Sequence, residues 1–237
     1  MEERKKIMID YAMKYLERGF TPIPLYSPSL LEKGIAPKWY EEKRKEIVQP
    51  ENNNAEAVND EHKKNLLRKL DIEACKESVV DINSEKWMTP VKRVIEWFMD
   101  YPGSNIGLMI GIGYNLTIVD VDKRIASEYY KRENKPIYAP IVETARGFHY
   151  YFTHSSIRHL HKTTEDTKIN LFDGVGYVVA PPSVNGTNHV YQWKKNHSIF
   201  EIDVLKSNPW LKQTILGFLN NVEIKTKADL LKVYSCL

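Results

Sequence analysis

The chain has 237 residues, which is long enough for one large or two small domains with a core that needs no covalent staples. Hydrophobic residues make up 42% and charged residues 27%, which excludes a disordered or collagen-like chain, and a formal net charge of +3 argues against a non-specific DNA coat protein. No segment reaches the ~18 uninterrupted apolar residues of a membrane span, and the N-terminal MEERKKIMID lacks the apolar core of an export signal. With two widely separated cysteines, we expect a cytoplasmic protein.

The first hundred residues have the periodicity of helices, interrupted by a short strand. An apolar stripe predicts a helix over 3–18 that ends at Gly19, followed by a strand from Phe20 to Leu25. The members of this stripe are Ile7, Tyr11, Met13 and Leu16. From about 41 to 85 the chain becomes charged and Asn-rich, and the two further helices that we expect lie around Glu61 to Cys75 and from Thr89 through Phe98.

After residue 100 the pattern changes to that of strands. The predicted strands are Ile106–Ile110, Leu116–Asp122, Glu143–Thr144, Phe148–Thr153, Ile169–Phe172 and Tyr177–Ala180. The Gly-Ile-Gly-Tyr-Asn turn predicts a hairpin between the first two of them, and helices are expected near Ala126–Glu133 and from Asn208 onward. This mixture favours an α+β fold with two modules that meet near residue 100.

Two carboxylates lie in the segment Leu116-Thr-Ile-Val-Asp-Val-Asp122. Side chains alternate along a strand, so Asp120 and Asp122 share one face, roughly 6.6–7 Å apart along the strand. Like charges on one face repel unless a cation lies between them, and carboxylate oxygens are the ligands that hard divalent cations prefer. The motif also arises by chance, so a solvent-exposed strand end is the alternative.

A cation and a histidine lie in the aromatic segment that follows. Arg146 offers a planar fork suited to phosphate oxygens, and His149 can donate to phosphate at neutral pH. The residues that alternate onto the face opposite His149, expected to be the core, are Phe148, Tyr150 and Phe152. The alternative is an exposed arginine beside a half-buried histidine with a local partner.

The third segment is Ile169–Ser183. Asp173 precedes Gly174, so it either initiates a turn or adds a third carboxylate to the aspartate pair. Ser183 follows the rigid Pro181-Pro182, where its hydroxyl could meet a ligand. The chain has no P-loop motif, no complete dinucleotide-binding fingerprint and no zinc-ligand spacing, which argues against those classes of protein.

Four motifs, in this order, resemble the catalytic core of the bifunctional primase-polymerases of the archaeo-eukaryotic primase superfamily. They are NIGLMIG, IVDVD, TARGFHYYF and FDGVGYVVAPPSVNGTNHVYQW. The N-terminal helix, GFTPIPL and PKW also resemble the opening of that family, so the resemblance covers most of 8–195 and leaves about 41–85 as an insertion. Within the family, the chain resembles the CRISPR-associated primase-polymerases.

The resemblance implies an RRM-like catalytic palm at 101–200, joined to an N-terminal α/β module at 1–100 and followed by a helical extension at 201–237. The activity it implies is template-directed nucleotidyl transfer that starts primers on single-stranded DNA and extends them. The implied partners are the DNA template, nucleoside triphosphates and a primer strand, with room for further domains and for CRISPR or replication proteins.

The resemblance also implies roles for individual residues. Asp120, Asp122 and Asp173 match the acidic motifs of the family and would hold two Mg²⁺ or Mn²⁺ ions. His149 matches its histidine motif, with Gly147 at the small position two residues earlier. The candidates for nucleotide binding are Arg146, His149, Ser183 and Lys168.

Two other interpretations are open at this stage. An RRM-type RNA-binding module would explain the aromatic strand, but it has His149 where a small residue is expected and leaves the carboxylates unexplained. A Mn²⁺-dependent Asp-x-Asp glycosyltransferase would explain Asp120 and Asp122, but not Arg146 and His149.

Overall fold

A computed structural model of the chain describes seven ranges: 2–48, 60–81, 91–123, 138–153, 163–164, 169–172 and 175–204. The helices within these ranges are α1 (Glu2–Glu17), α2 (Pro28–Leu31), α3 (Lys38–Val48), α4 (Asp60–Ala74) and α5 (Val91–Asp100). The strands are β1 (Pro22–Leu25), β2 (Asn105–Ile110), β3 (Thr117–Asp122), β4 (Ile141–Glu143), β5 (Gly147–Phe152), β6 (Thr163–Thr164), β7 (Ile169–Phe172), β8 (Gly176–Ala180) and β9 (Gln192–Trp193). The α+β class is thereby confirmed.

The predicted helix near 126–133 and the helical part of the predicted extension from 208 onward lie outside the described residues. None of the helices within the described ranges is long and apolar enough to cross a membrane.

The chain divides into two compact units, one of residues 1–108 with 179–191 and the other of 109–178 with 192–237. The predicted division put all of 101–200 in one palm domain, whereas the first unit also includes residues 101–108 and the segment 179–191. This segment belongs with the first unit because its backbone and side chains bond to β2. The Ser183 hydroxyl accepts from Ile106 N at 2.9 Å, and Val184 N donates to Asn105 Oδ1 at 2.9 Å.

In the first unit, the face of α1 that is buried in the core differs from the face that the sequence predicted. Its fully buried residues are Met8, Ala12 and Tyr15, whereas Ile7 is 41% exposed. The helix ends where expected, since Gly19 adopts φ +81 and its N–H donates to Leu16 O. β1 is the edge strand of the order β1-β2-β8 and pairs antiparallel with β2, a position that tolerates its two prolines.

The charged segment after residue 37 forms two helices that pack together in the same unit. α4 agrees with the predicted helix to within one residue at each end, whereas α3 was not predicted because its sequence is mostly charged. Tyr40, Leu70 and Ala74 form a small buried cluster between them. The Tyr40 hydroxyl donates to Asp71 Oδ1 at 2.6 Å, and burial, followed by this bond, raises the pKa of Tyr40 well above its usual range.

In the second unit, the described strands form an antiparallel sheet in the order β6-β7-β3-β5-β4-β9. The predicted hairpin between β2 and β3 is wrong, because the two strands belong to different sheets. In the described segment between them, one bridge joins Gly111 to Leu116, and a 3-10 helix (Ile112–Tyr114) takes the place of a tight hairpin turn. The turn residues on either side, Gly111 (φ +101) and Asn115 (φ +49), redirect the chain. An RRM-like arrangement of the palm stays a prediction.

Candidate active site

Three polar side chains form a row across the centre of the second sheet. β3 lies between β7 and β5, with Asp120 opposite Asn170 on one side and opposite His149 on the other. Directly opposed residues of antiparallel strands project to the same face of a sheet. The row continues through Val142 on β4 to Trp193 on β9. Sequence alternation and pairing therefore bring an acid, an imidazole and an amide side by side.

The apolar residues of β3 explain why this strand lies at the centre of the sheet. Ile118 and Val119 are fully buried, and Val121 is nearly so, whereas Asp120 and Asp122 are half-buried. The β-branched residues fill the sheet interior and leave the two carboxylates on one face, as the alternation predicted. The pair is thus held on a largely buried strand between two neighbouring strands.

The two faces of β5 differ less in burial than the sequence predicted. Tyr150 and Phe152 are buried as predicted, but Phe148 is only half-buried. Tyr151, on the same face as His149, is fully buried because its ring packs against Trp193 at a centroid distance of 5.1 Å. On the side of the polar row where Tyr151 pairs with Ile118, away from Asp122, the face that carries the carboxylates is therefore covered.

Asp120 is held between its two neighbours. Asn170 Nδ2 donates to Asp120 Oδ2 at 3.2 Å, and His149 Nε2 lies 3.8 Å from Asp120 Oδ1. The side chains of Asp120 and His149 are 30% and 12% exposed, so the carboxylate remains accessible while the imidazole is mostly covered. The second distance is that of an ion pair when the histidine is protonated, and it is too long for a hydrogen bond.

Asp122 lies where β5 approaches β3 closely. It is opposite Gly147, where an added Cβ would come 1.9 Å from Val121 O, so only glycine permits this backbone spacing. Arg146 precedes this glycine on an exposed turn, and its carbonyl accepts from Lys123 N at 2.9 Å. A guanidinium is therefore attached to the same end of the sheet as the Asp122 carboxylate.

The described residues fit a divalent cation in part. Asp120 and Asp122 supply hard oxygen donors from one face of a strand. Within the described ranges, no group of three or more His, Cys, Asp or Glu side chains lies together as a metal site. Asp173 and Lys168 lie outside the described residues, so the third carboxylate and the lysine contact stay predictions.

Ser183 has a structural position in the first unit. It is fully buried, and its hydroxyl accepts from Ile106 N at 2.9 Å and donates to Ile106 O at 3.1 Å. A hydroxyl has a single proton to donate, and here the β2 backbone takes it. We therefore leave Ser183 out of the proposed nucleotide site.

The sequence interpretation missed Asn170. The available signal was an amide within the otherwise apolar strand Ile169–Phe172. Only the pairing of β7 with β3 shows that this amide adjoins Asp120, because strand register depends on contacts between distant segments.

Comparison with known proteins identifies a family that matches most of the chain. Residues 12–210 match the family described as bifunctional DNA primase/polymerase, N-terminal. No curated protein matches the chain. The match covers parts of both units and includes the segments that carry Asp120 and His149, and it favours neither an RNA-binding module nor a glycosyltransferase. The chain therefore belongs to the bifunctional DNA primase/polymerase family, which implies a nucleotidyltransferase-type enzyme with primase or polymerase activity.

Proposed function

We propose that the chain starts and extends primers on single-stranded DNA by metal-dependent, template-directed nucleotidyl transfer. The observation that carries this proposal is the pair of half-buried carboxylates, Asp120 and Asp122, on one face of the central strand in a member of this family. Two such charges would repel a nucleoside triphosphate unless a cation neutralised them.

Asp120 and Asp122, together with the predicted third ligand Asp173, are the residues that would hold two Mg²⁺ or Mn²⁺ ions. Bound there, these ions would supply positive charge that acidifies the attacking 3′-hydroxyl and neutralises the leaving pyrophosphate. The role of the chain is to hold the carboxylates in place. β3 suits this role because its buried residues anchor it between two neighbouring strands.

Arg146 and His149 are proposed to bind the triphosphate, with Lys168 as a further contact. Arg146 lies on an exposed turn, so its guanidinium has room to donate to phosphate oxygens as a planar fork. His149 is adjacent to Asp120 and mostly covered, so it would contact a phosphate held directly over the sheet. Catalysis would then depend on positioning and on charge stabilisation.

The test is primer synthesis on a single-stranded DNA template with ribo- or deoxynucleotides and Mn²⁺. The wild-type protein should produce new oligonucleotides, and Asp120→Asn should reduce their yield by about a hundredfold or more, because it removes a charged ligand without changing side-chain size. Asp10→Asn is the matched control, since Asp10 is exposed on α1, and it should leave the yield unchanged. Equal yields from Asp120→Asn and wild type would refute the metal role of Asp120.

Two further assays on the same protein distinguish the proposed primase-polymerase from the two alternative functions. Binding of RNA in the presence of EDTA, without any oligonucleotide synthesis, would favour an RNA-binding module. Hydrolysis of a nucleotide-sugar that depends on Mn²⁺ would favour a glycosyltransferase.

A further inference from the structure

We infer that Asn170 is a positioning residue for the candidate metal site, because it holds the carboxylate of Asp120 in the orientation that a cation requires. This inference rests on the proposed function, in which Asp120 is a metal ligand. It assigns a role to a residue that none of the sequence motifs singled out.

The contact between the two side chains follows from the register of the sheet. Asn170 is directly opposite Asp120 on β7, and its Nδ2 donates to Asp120 Oδ2 at 3.2 Å. Both side chains are only half-buried. On the other side of Asp120, Oδ1 is 3.8 Å from His149 Nε2. One carboxylate oxygen is thus fixed by the amide, and the other is left beyond hydrogen-bonding distance of the imidazole.

The amide supports the site because its hydrogen bond to Asp120 Oδ2 limits rotation about the Cβ–Cγ bond, so the carboxylate is oriented before the cation arrives. Partners of metal ligands act in this way in other proteins, and their loss typically weakens metal affinity by about 10–100-fold.

An amide at this position also avoids a cost that a carboxylate would impose. An aspartate at 170 would place a second negative charge beside Asp120, about where the amide nitrogen now lies 3.2 Å away. Such a pair repels without a cation and is stabilised when a cation bridges it. The role of the amide therefore predicts that Asn170→Ala and Asn170→Asp change Mn²⁺ affinity in opposite directions.

The experiment measures Mn²⁺ binding to the full chain by electron paramagnetic resonance of the free ion, with the thermal midpoint Tm as a second readout. Asn170→Ala should weaken Mn²⁺ binding by about tenfold with little change in the Tm of the metal-free protein. Asn170→Asp should lower the Tm of the metal-free protein, because it places a second negative charge beside Asp120. It should strengthen Mn²⁺ binding several-fold, because it adds a carboxylate ligand. Asn170→Ser, whose hydroxyl can also donate, should restore part of the affinity lost in Asn170→Ala.

The matched controls are Asn65→Ala and Asn65→Asp, because Asn65 is exposed on α4. Both should bind Mn²⁺ as the wild type does. Asp120→Asn is measured in parallel and should weaken Mn²⁺ binding more than any substitution of Asn170.

The outcomes distinguish the positioning role of Asn170 from the metal role of Asp120. If Asp120→Asn weakens Mn²⁺ binding while the Asn170 variants bind as the wild type does, the positioning role is refuted and the proposed function stands. If Asp120→Asn also binds as the wild type does, the metal role of Asp120 fails as well. Should Asn170→Ala not fold, Asn170→Ser and Asn170→Asp decide the question, and equal affinities for those two and the wild type would overturn the inference.

Discussion

Polar side chains take opposite roles in the two units of this molecule. In the first unit, Asn105 is fully buried and its side chain makes four hydrogen bonds. Its Oδ1 accepts from Val184 N at 2.9 Å and from Arg4 Nη2 at 3.3 Å, and its Nδ2 donates to Tyr26 O at 3.0 Å and Val184 O at 2.7 Å. Together with Ser183, this residue joins segments that are distant in sequence. These groups are satisfied by the protein itself.

In the second unit, the polar row is held but still accessible. Asp120 receives one hydrogen bond from Asn170, is 30% exposed, and keeps further lone pairs on its carboxylate. A polar group whose bonds are all made within the protein stabilises a fold, whereas a fixed and accessible carboxylate is available to a ligand. Asn105 and Asp120 thus differ in hydrogen bonding and exposure, although both are polar residues of strands.

The largest expected effect comes from the backbone that supports the row. Gly147→Ala should destabilise the protein by about 3 kcal/mol or more, because the added Cβ would lie 1.9 Å from Val121 O and force β5 away from β3. Gly176→Ala is the control, since nothing lies within 4 Å of its added Cβ. The measurement is the urea midpoint of each variant, and equal midpoints for the two variants would contradict the close approach at Gly147.

The next effect tests the buried bonds of the first unit. Asn105→Ala should destabilise the protein by about 2–4 kcal/mol, because it removes a fully buried amide and leaves the N–H and carbonyl of the half-buried Val184 without their side-chain partner. Asn65→Ala, at an exposed helical position, should change stability by less than about 0.5 kcal/mol. Urea unfolding measures both variants. A loss below about 1 kcal/mol for Asn105→Ala would show that water replaces these bonds.

A smaller pair of effects compares the two units directly. His149→Ala should weaken nucleotide triphosphate binding by about tenfold, because it removes a charge-assisted contact, and should change stability little. Ser183→Ala should reduce stability by about 1–2 kcal/mol and leave nucleotide binding unchanged, since its hydroxyl bonds to the β2 backbone. Calorimetric titration and urea unfolding of both variants test this crossed pattern. Reduced nucleotide affinity in Ser183→Ala at full stability would contradict it.

The smallest expected effect concerns Cys75, whose thiol should react only slowly with iodoacetamide in the native protein. Burial, followed by the nearby Asp71 carboxylate, raises the pKa of the Cys75 thiol to about 12, although Arg4 offsets part of the shift. At pH 8 the thiol therefore stays protonated, and the reactive thiolate is scarce. Iodoacetamide should label Cys75 slowly in the native protein and rapidly in urea, as measured by peptide mass spectrometry. Equal rates would show that the first unit opens readily around this residue.

Several features of the site could be predicted because they depend on local sequence. The alternation of side chains along a strand placed Asp120 and Asp122 on one face, and the apolar residues between them indicated a buried strand. The ends of α4 and the helix cap at Gly19 were likewise readable from composition and periodicity. The family resemblance, which depends on the order of short motifs, is confirmed over residues 12–210.

Other features could not be predicted because they depend on contacts between distant segments. The hairpin between β2 and β3 looked favourable locally, but each strand pairs in a different sheet. The buried face of α1 contains Met8 instead of Ile7, since its position depends on what packs against the helix. Ser183 looked available after two prolines, yet the backbone of Ile106 occupies its hydroxyl.

The amino-acid order was sufficient to establish the fold class, the family and the acidic pair, because side-chain alternation and motif order are properties of neighbouring residues. The surroundings of that pair were not accessible in the same way. Asn170 lies 50 residues after Asp120 in the chain, and they become neighbours only when β7 pairs with β3. Strand pairing joins segments that are distant in the chain and depends on the packing of the whole sheet. The residues that contact the carboxylate of Asp120 could therefore be identified only from the folded structure.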